Sequence, residues 1–279
     1  MTRKNAKKSG GFLKFLLICA VLFLLVRLAL YDGIAVRRYT LKTDAVSREH
    51  RFVLITDLHS TVYGENQGEL AEKILAEQPE AVFLCGDIAD DVRGFDGTAM
   101  LLEQLKSAEP DMPLYYVTGN HECWVEWTED VNLLFEQAGA VILSDCQTDL
   151  GDGIRLSGVA DPVFYGDTLS YMGALTQFDT DGDAFDILLA HRPEFAETYQ
   201  QAGFELTLSG HAHGGQVRVP LLLNGLYAPG QGWFPEYAGG LYDLDGAHLI
   251  VSRGLMIDDM PRIFNPPEIV VVEIRPEVS

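Results

Sequence analysis

The sequence predicts an α/β domain built on a largely parallel sheet, carried behind one membrane-spanning helix. Three observations lead there. A run of twenty mostly apolar residues lies near the N-terminus, short apolar runs alternate with amphipathic helical segments from residue 52 onward, and a polar side chain able to bind metal closes each of those runs.

Residues 12–31 read FLKFLLICAVLFLLVRLALY, with Lys14 and Arg27 as the sole charges. A hydrocarbon core of about 30 Å takes roughly 20 apolar residues in helix, and charges near the ends of the run can snorkel to the interface. A secretory signal peptide is the alternative, since Arg3, Lys4, Lys7 and Lys8 precede the run, but no small-x-small cleavage site follows it. The expected organisation is therefore a basic tail at 1–11, an anchor at 12–31, a linker at 32–49 and a domain at 50–279. The excess of basic residues before the helix places the N-terminus in the cytoplasm and the domain outside, as a single-pass protein of the cell membrane.

Charge divides the same way. Of a formal net charge of −21, residues 1–49 hold ten Lys or Arg against three Asp or Glu, which leaves ten against thirty-eight in the rest. So acidic a domain offers no basic surface for a nucleic-acid backbone, and no nucleic-acid partner is expected. A phosphorylated substrate is compatible, because bound cations reverse a local potential. The four cysteines form no CxxC pair and no secreted-type framework, which argues against a structural zinc site.

Within the domain, FVLIT at 52–56 is a buried strand ending in Asp57, and 68–78 is a helix stopped by Pro79 that places Leu70, Ile74 and Leu75 on one face. AVFLC at 81–85 is a strand ending in Gly86-Asp87. Residues 96–108 form a second helix, with Met100, Leu101 and Leu105 on one face, and LYYVT at 114–118 is a strand ending in Gly119-Asn120-His121-Glu122. Strands ending at Asp161, at His191 and at the cluster 210–216 follow, and LYDL, HLIV and EIVVVEI close the chain. Strand–turn–helix units of this kind give a parallel sheet, whose ligands lie beyond the carboxyl ends of the strands.

Singly, an Asp-x-His or a Gly-Asp is an ordinary turn or cap. Together, Asp57, His59, Asp87, Asn120, His121, His191, His211 and His213 all follow apolar strand-like runs, which solvated turns do not explain. Asp, Asn and His without thiolate suit manganese, iron or zinc in a hydrolytic site, and two such ions need a carboxylate between them. Glu122 and Asp90 are read as supports of ligands or turns, Gly214 and Gly215 as a tight turn, and Arg192 as either substrate-facing or solvated. Trp124, Trp127, Phe164, Tyr165, Trp233 and Phe234 are candidates for a pocket lining or for packing.

In order and spacing, Asp57-Leu-His59, Gly86-Asp87-Ile-Ala-Asp90, Gly119-Asn120-His121-Glu122, Ala-His191-Arg-Pro-Glu194 and Gly210-His211-Ala-His213-Gly-Gly-Gln216 resemble the motifs of the calcineurin-like metallophosphoesterases. Among these, the sequence is most similar to membrane-associated bacterial phosphodiesterases whose last motif reads GHxHGGQ. The resemblance implies a four-layer α/β/β/α sandwich and two divalent metal ions (Mn, Fe or Zn). It implies that Asp57, His59 and His213 bind the first and Asn120, His191 and His211 the second, with Asp87 bridging. It further implies that water activated by the metals attacks phosphorus while His121 stabilises developing charge or protonates the leaving oxygen. Ala212 departs from the pattern, standing where relatives often have Thr.

The expected function is a dinuclear phosphoester hydrolase, a phosphodiesterase working near the membrane on a substrate that is lipid-derived or from the envelope. Two alternatives stand beside it: a pyrophosphohydrolase of nucleotide-linked lipid precursors, and a binding protein that keeps the fold without turnover.

Overall fold

The computed structural model describes residues 3–124, 128–180, 182–258 and 260–277, with the backbone alone over 3–10. In chain order the helices and strands are α1 Arg3–Ala29, β1 Ala35–Thr43, β2 His50–Ile55, α2 Gly68–Ala76, β3 Ala81–Cys85, α3 Asp96–Ala108, β4 Leu114–Val117, α4 Asn120–Trp124, α5 Thr128–Gln137, β5 Val141–Ile142, β6 Cys146–Gly151, β7 Ile154–Gly158, α6 Pro162–Tyr165, α7 Thr168–Leu175, β8 Phe185–Leu189, α8 Ala196–Gln201, β9 Leu206–Ser209, β10 Tyr227–Ala228, β11 Gly232–Trp233, β12 Gly240–Leu244, β13 Ala247–Val251 and β14 Glu268–Pro276. Two six-stranded sheets result, ordered β1-β14-β2-β3-β4-β5 and β12-β13-β9-β8-β7-β6.

The sheets stack face to face, because their central strands are apolar on both sides and must be covered on both. Phe52, Leu54, Phe83 and Val117 of the first sheet meet Leu156, Ile187, Leu189, Leu208 and Ile250 of the second in one buried cluster. The outer face of the first sheet is covered by Leu70 and Ile74 of α2, Leu101 and Leu105 of α3, and Val131 and Phe135 of α5. Tyr171 and Leu175 of α7 and Tyr199 of α8 cover the second. This is the four-layer arrangement the resemblance implies. Both helices predicted in the first half form, with Met100 and Leu75 only half-buried at the margins of their apolar faces.

Parallel pairing of β2 with β3, β3 with β4, β7 with β8 and β8 with β9 brings the carboxyl ends of the central strands to a common edge of the sandwich. The segment 32–49 is not the linker expected. Its residues 35–43 are β1, which pairs in parallel with β14 along nine residues and completes the first sheet. The anchor also differs in extent, since α1 begins at Arg3 and takes in most of the basic tail. Among the described residues, 11–29 is the one stretch of helix long and apolar enough to cross a membrane.

Candidate metal centre

All eight predicted site residues converge at this strand edge. Asp57 and His59 follow β2, Asp87 follows β3, Asn120 and His121 open α4 after β4, His191 follows β8, and His211 and His213 follow β9. Their ligand atoms fall into overlapping groups, each within 4.8 Å: Asp57 with His59 and His213, Asp87 with His191 and His211, and His59 with Asp87 and His121. Asp87 belongs to two of the three.

The backbone bends sharply to achieve this. Asp57, His59, Asp87, His211 and His213 all take positive φ, between 46° and 62°. Such conformations are uncommon outside glycine and collect at functional sites, where surrounding structure holds them. Glycine makes the close approach possible: a Cβ on Gly119 would collide with the carboxylate and amide of Asp87, and one on Gly86 with the His191 ring. The pair Gly214 and Gly215 turns the chain tightly beneath His213, as expected, against Asn265 and Gly225.

Second contacts hold the rings of His59 and His191 by Nδ1 and turn Nε2 of each toward Asp87. His59 Nδ1 donates to Asp90 at 2.7 Å, and His191 Nδ1 donates to the Cys85 carbonyl at 2.9 Å. His59 Nε2, Asn120 Oδ1 and Asp57 Oδ2 are buried without a hydrogen-bond partner, and His191 Nε2 meets only the Asp87 carboxylate, at 3.0 Å. Buried polar atoms are seldom left so, and three of them on the loops that carry the predicted ligands fit a cation as the missing partner.

Electrostatics agrees. Burial alone would hold down the pKa of His191, but the nearby carboxylates of Asp87 and Asp57 outweigh it and push it up to about 10. His59 is likewise raised by Asp90, Asp87 and Asp57 against the pull of burial. The carboxyl of Asp87 would be raised by burial, yet His191 and His59 bring it well below the usual range. His211 and His213 are driven well below the usual value by burial and then by neighbouring positive groups, so they stay neutral, the form in which an imidazole can bind metal. Protons on His59 and His191 occupy the place that positive charge favours.

His121 sits at the open side with its side chain 25 % exposed, its amide donating to Asp87 Oδ1 at 2.8 Å and its Nδ1 lying 2.5 Å from Asp91. Asp91 carried no signal in the sequence beyond being a second acid in a turn. Asp90 does both things expected of it, bonding the His59 ring and accepting the turn amides of Val92 and Arg93, but Glu122 touches no predicted ligand ring. Its buried carboxylate accepts four backbone amides, from Asp87, Gly119, Ile88 and Ala89, tying two ligand-bearing loops together. Burial and the charge of Asp87 raise its pKa to about 7.

Arg192 resolves to an inward position. It pairs with buried Asp161 through Nε at 2.8 Å and Nη2 at 3.1 Å, and Nη1 lies 3.5 Å from His211 Nε2. Asp161 was missed because its sequence context is that of a helix cap, which it also is. Of the candidate aromatics, Trp124 packs 4.8 Å from the His121 ring, Phe164, Trp233 and Phe234 are exposed, and Tyr165 bonds Asp145. Trp127 lies outside the described residues. A cavity of about 250 Å³ beside His59, His121 and His213 is instead lined by Tyr227, Met256, Met260 and Arg262.

Comparison with known proteins agrees with this geometry. The family model for calcineurin-like phosphoesterases matches residues 50–215. An uncharacterized metallophosphoesterase of Campylobacter jejuni is 29 % identical over 246 residues, covering 82 % of this chain and 60 % of the relative, so the chain spans under two thirds of that protein. One from Aquifex aeolicus is 27 % identical over 252 residues, covering 86 % of this chain and 91 % of the relative. Among solved structures, a protein of Thermus thermophilus superposes with a TM-score of 0.51 at 13 % identity, over 74 % of this chain and 90 % of that one, a likeness of fold. The chain belongs to the calcineurin-like phosphoesterase family, metal-dependent phosphoester hydrolases that work with two divalent metal ions.

Proposed function

We propose that the protein is a phosphodiesterase acting at the membrane on a lipid-derived or envelope phosphoester, with its domain outside the cytoplasmic face. The observation that carries the chemistry is the convergence of two groups of ligand-type side chains on Asp87, His191 with His211 and His59 with His121, beside a third of Asp57, His59 and His213. Asp57, His59 and His213 would hold one ion, Asn120, His191 and His211 the other, and Asp87 would serve both. When bound, the two ions polarise the phosphoryl oxygens and lower the pKa of water.

The chain's own residues do the rest. Asp90 and the Cys85 carbonyl fix the rings of His59 and His191 with Nε2 inward. Asp91 accepts from Nδ1 of His121, so in the imidazolium form the second proton of the ring would sit on Nε2, from which it would pass to the leaving oxygen. Arg192, held by Asp161, adds positive charge beside His211, where phosphoryl oxygens would gather.

The substrate reading draws on the cavity walls. Asp258, Met260 and Arg262 border both the cavity at His121 and a second one of about 270 Å³ that reaches Leu30 and Tyr31, where α1 ends. Only these three residues separate the cavity at the metal centre from the one at the end of the anchor, which favours an amphiphile from the bilayer over a soluble diester.

Elemental analysis of the full chain in detergent tests the centre: two ions are expected, with Asp87→Ala lowering occupancy of both positions. One retained ion, unchanged by the substitution, would overturn the assignment. Turnover of long-chain and water-soluble monoesters, diesters and pyrophosphates tests the substrate class, and protease accessibility in sealed cells tests the orientation.

A further inference from the structure

Beside the end of the anchor, on residues that supply no predicted ligand to the metal centre, lies an open hollow of about 460 Å³. Arg37 of β1, Arg218 and Arg253 line it. Facing them is one carboxylate, the fully buried Glu268, whose Oε2 is 3.4 Å from Arg253 Nε and 3.7 Å from Arg37 Nε. Among the described residues Arg218 forms no salt bridge, and its guanidinium donates only to Asn224 and to the carbonyls of Gly214 and Gly239. Three guanidinium groups against one carboxylate leave net positive charge in a hollow of an otherwise acidic domain. Arg253 Nε, moreover, is buried with the 3.4 Å contact to Glu268 in place of a well-formed hydrogen bond. Burial and the proximity of Arg253 lower the Arg218 pKa to about 10, the mark of a crowded cation without its anion.

The remaining wall is apolar and projects outward. Val219, Pro220, Leu221, Leu222 and Leu223 border the hollow, and Leu221 and Leu222 are 104 % and 85 % exposed. Phe264, also in the lining, donates its backbone amide to the carbonyl of Ala29, the last residue of α1, at 2.7 Å. The hollow is therefore tied directly to the point where α1 meets the domain. Exposed leucines beside arginines are the composition of a surface that dips into a bilayer with anionic headgroups.

We propose that this hollow binds the phosphate of an anionic phospholipid in the leaflet where α1 ends, with Leu221 and Leu222 inserted at the acyl boundary. Guanidinium forks of Arg37 and Arg218 match a phosphate diester by paired charge-assisted hydrogen bonds. The proposal rests on the membrane-anchoring reading, since that reading brings the hollow to the interface.

The test uses the full chain in neutral detergent, titrated with dihexanoyl phosphatidylglycerol, dihexanoyl phosphatidylcholine and inorganic phosphate, with bound molecules counted by native mass spectrometry. Phosphatidylglycerol should bind best. Arg37→Gln with Arg218→Gln should weaken it by about tenfold or more, the scale of losing charged hydrogen bonds. Leu221→Ser with Leu222→Ser should weaken phosphatidylglycerol but not inorganic phosphate, and these exposed positions cannot disturb the core. Unchanged hydrolysis of an artificial ester reports that each variant is folded. Equal binding of phosphatidylglycerol by the arginine variant and the parent would overturn the proposal, as would equal binding of the two lipids. Indifference to the leucine substitutions would make it a site for soluble anions and overturn the lipid assignment. Carbonate extraction of the full chain from membranes reports separately on the anchor, so failure of that reading cannot be mistaken for failure of this one.

Discussion

Replacing Glu122 with Gln should weaken metal binding more than it weakens the metal-free fold. One carboxylate oxygen accepts from Asp87 and Gly119 and the other from Ile88 and Ala89, at 2.6–3.0 Å. An amide in its place turns one oxygen into a donor, so two buried amides lose their acceptor. Each orphaned group costs about 1–3 kcal/mol, hence about 2–6 kcal/mol together. Against this stands the cost of ionising Glu122. Its folded pKa, about 7, is raised above the usual value by burial and by Asp87. A raised carboxyl favours the folded state below its unfolded pKa, and that contribution is lost as pH rises through about 7. At about pH 8 the ionised group costs the metal-free protein about 3 kcal/mol, which Gln removes. The metal-free variant should thus lie between about 1 kcal/mol more stable and about 3 kcal/mol less stable. Cations at Asp87 would cancel the repulsion on Glu122, so the metal-loaded protein loses the full cost of the orphaned amides. The difference appears as metal affinity lowered about tenfold or more. Urea midpoints of chelated and metal-loaded full chain at about pH 8, for parent and variant, measure both terms. Equal losses in the two states would refute the reasoning.

The same geometry sets further outcomes. His121→Ala should keep both metals and lose roughly 10²–10⁴-fold in kcat/KM on a diester with an alkoxide leaving group, with a smaller loss on an activated phenolate; equal losses on both would reject leaving-group protonation. His191→Ala should lose metal and slow both substrates together. Gly119→Ala should fold but fail to retain two ions, because its Cβ displaces Asp87, and full occupancy would show that the turn can yield. Because His59 and His191 are held above the ordinary value of about 6.5, metals must displace protons from them. Affinity should therefore rise with pH from about 6.5 toward about 10, and calorimetric enthalpies near neutrality should vary with the ionisation enthalpy of the buffer; a buffer-independent enthalpy would mean that the sites are already proton-free.

Much was legible in the sequence because it is locally encoded. An apolar run that must be buried on both faces, followed at once by Asp57, Asp87, Asn120, His191 or His211, announces a strand and the chemistry at its end within a few residues. The helices over 68–78 and 96–108 and the apolar stretch before residue 31 are read the same way, from periodicity and length. What tertiary structure alone decided depends on partners distant in the chain. Residues 35–43 have a linker's mixed composition, and they become a strand only because β14, more than two hundred residues later, offers an edge. Glu122 looks like one more turn acid until folding brings three amides of the Asp87 loop onto it. Asp91, Asp161 and Arg192 acquire roles through contacts thirty residues away. The cationic hollow gathers Arg37, Arg218 and Arg253 from three segments that share no pattern. Strand ends and turns are set by near neighbours, whereas the supports of ligands and the pairing of charges are set by which loops the two sheets bring together.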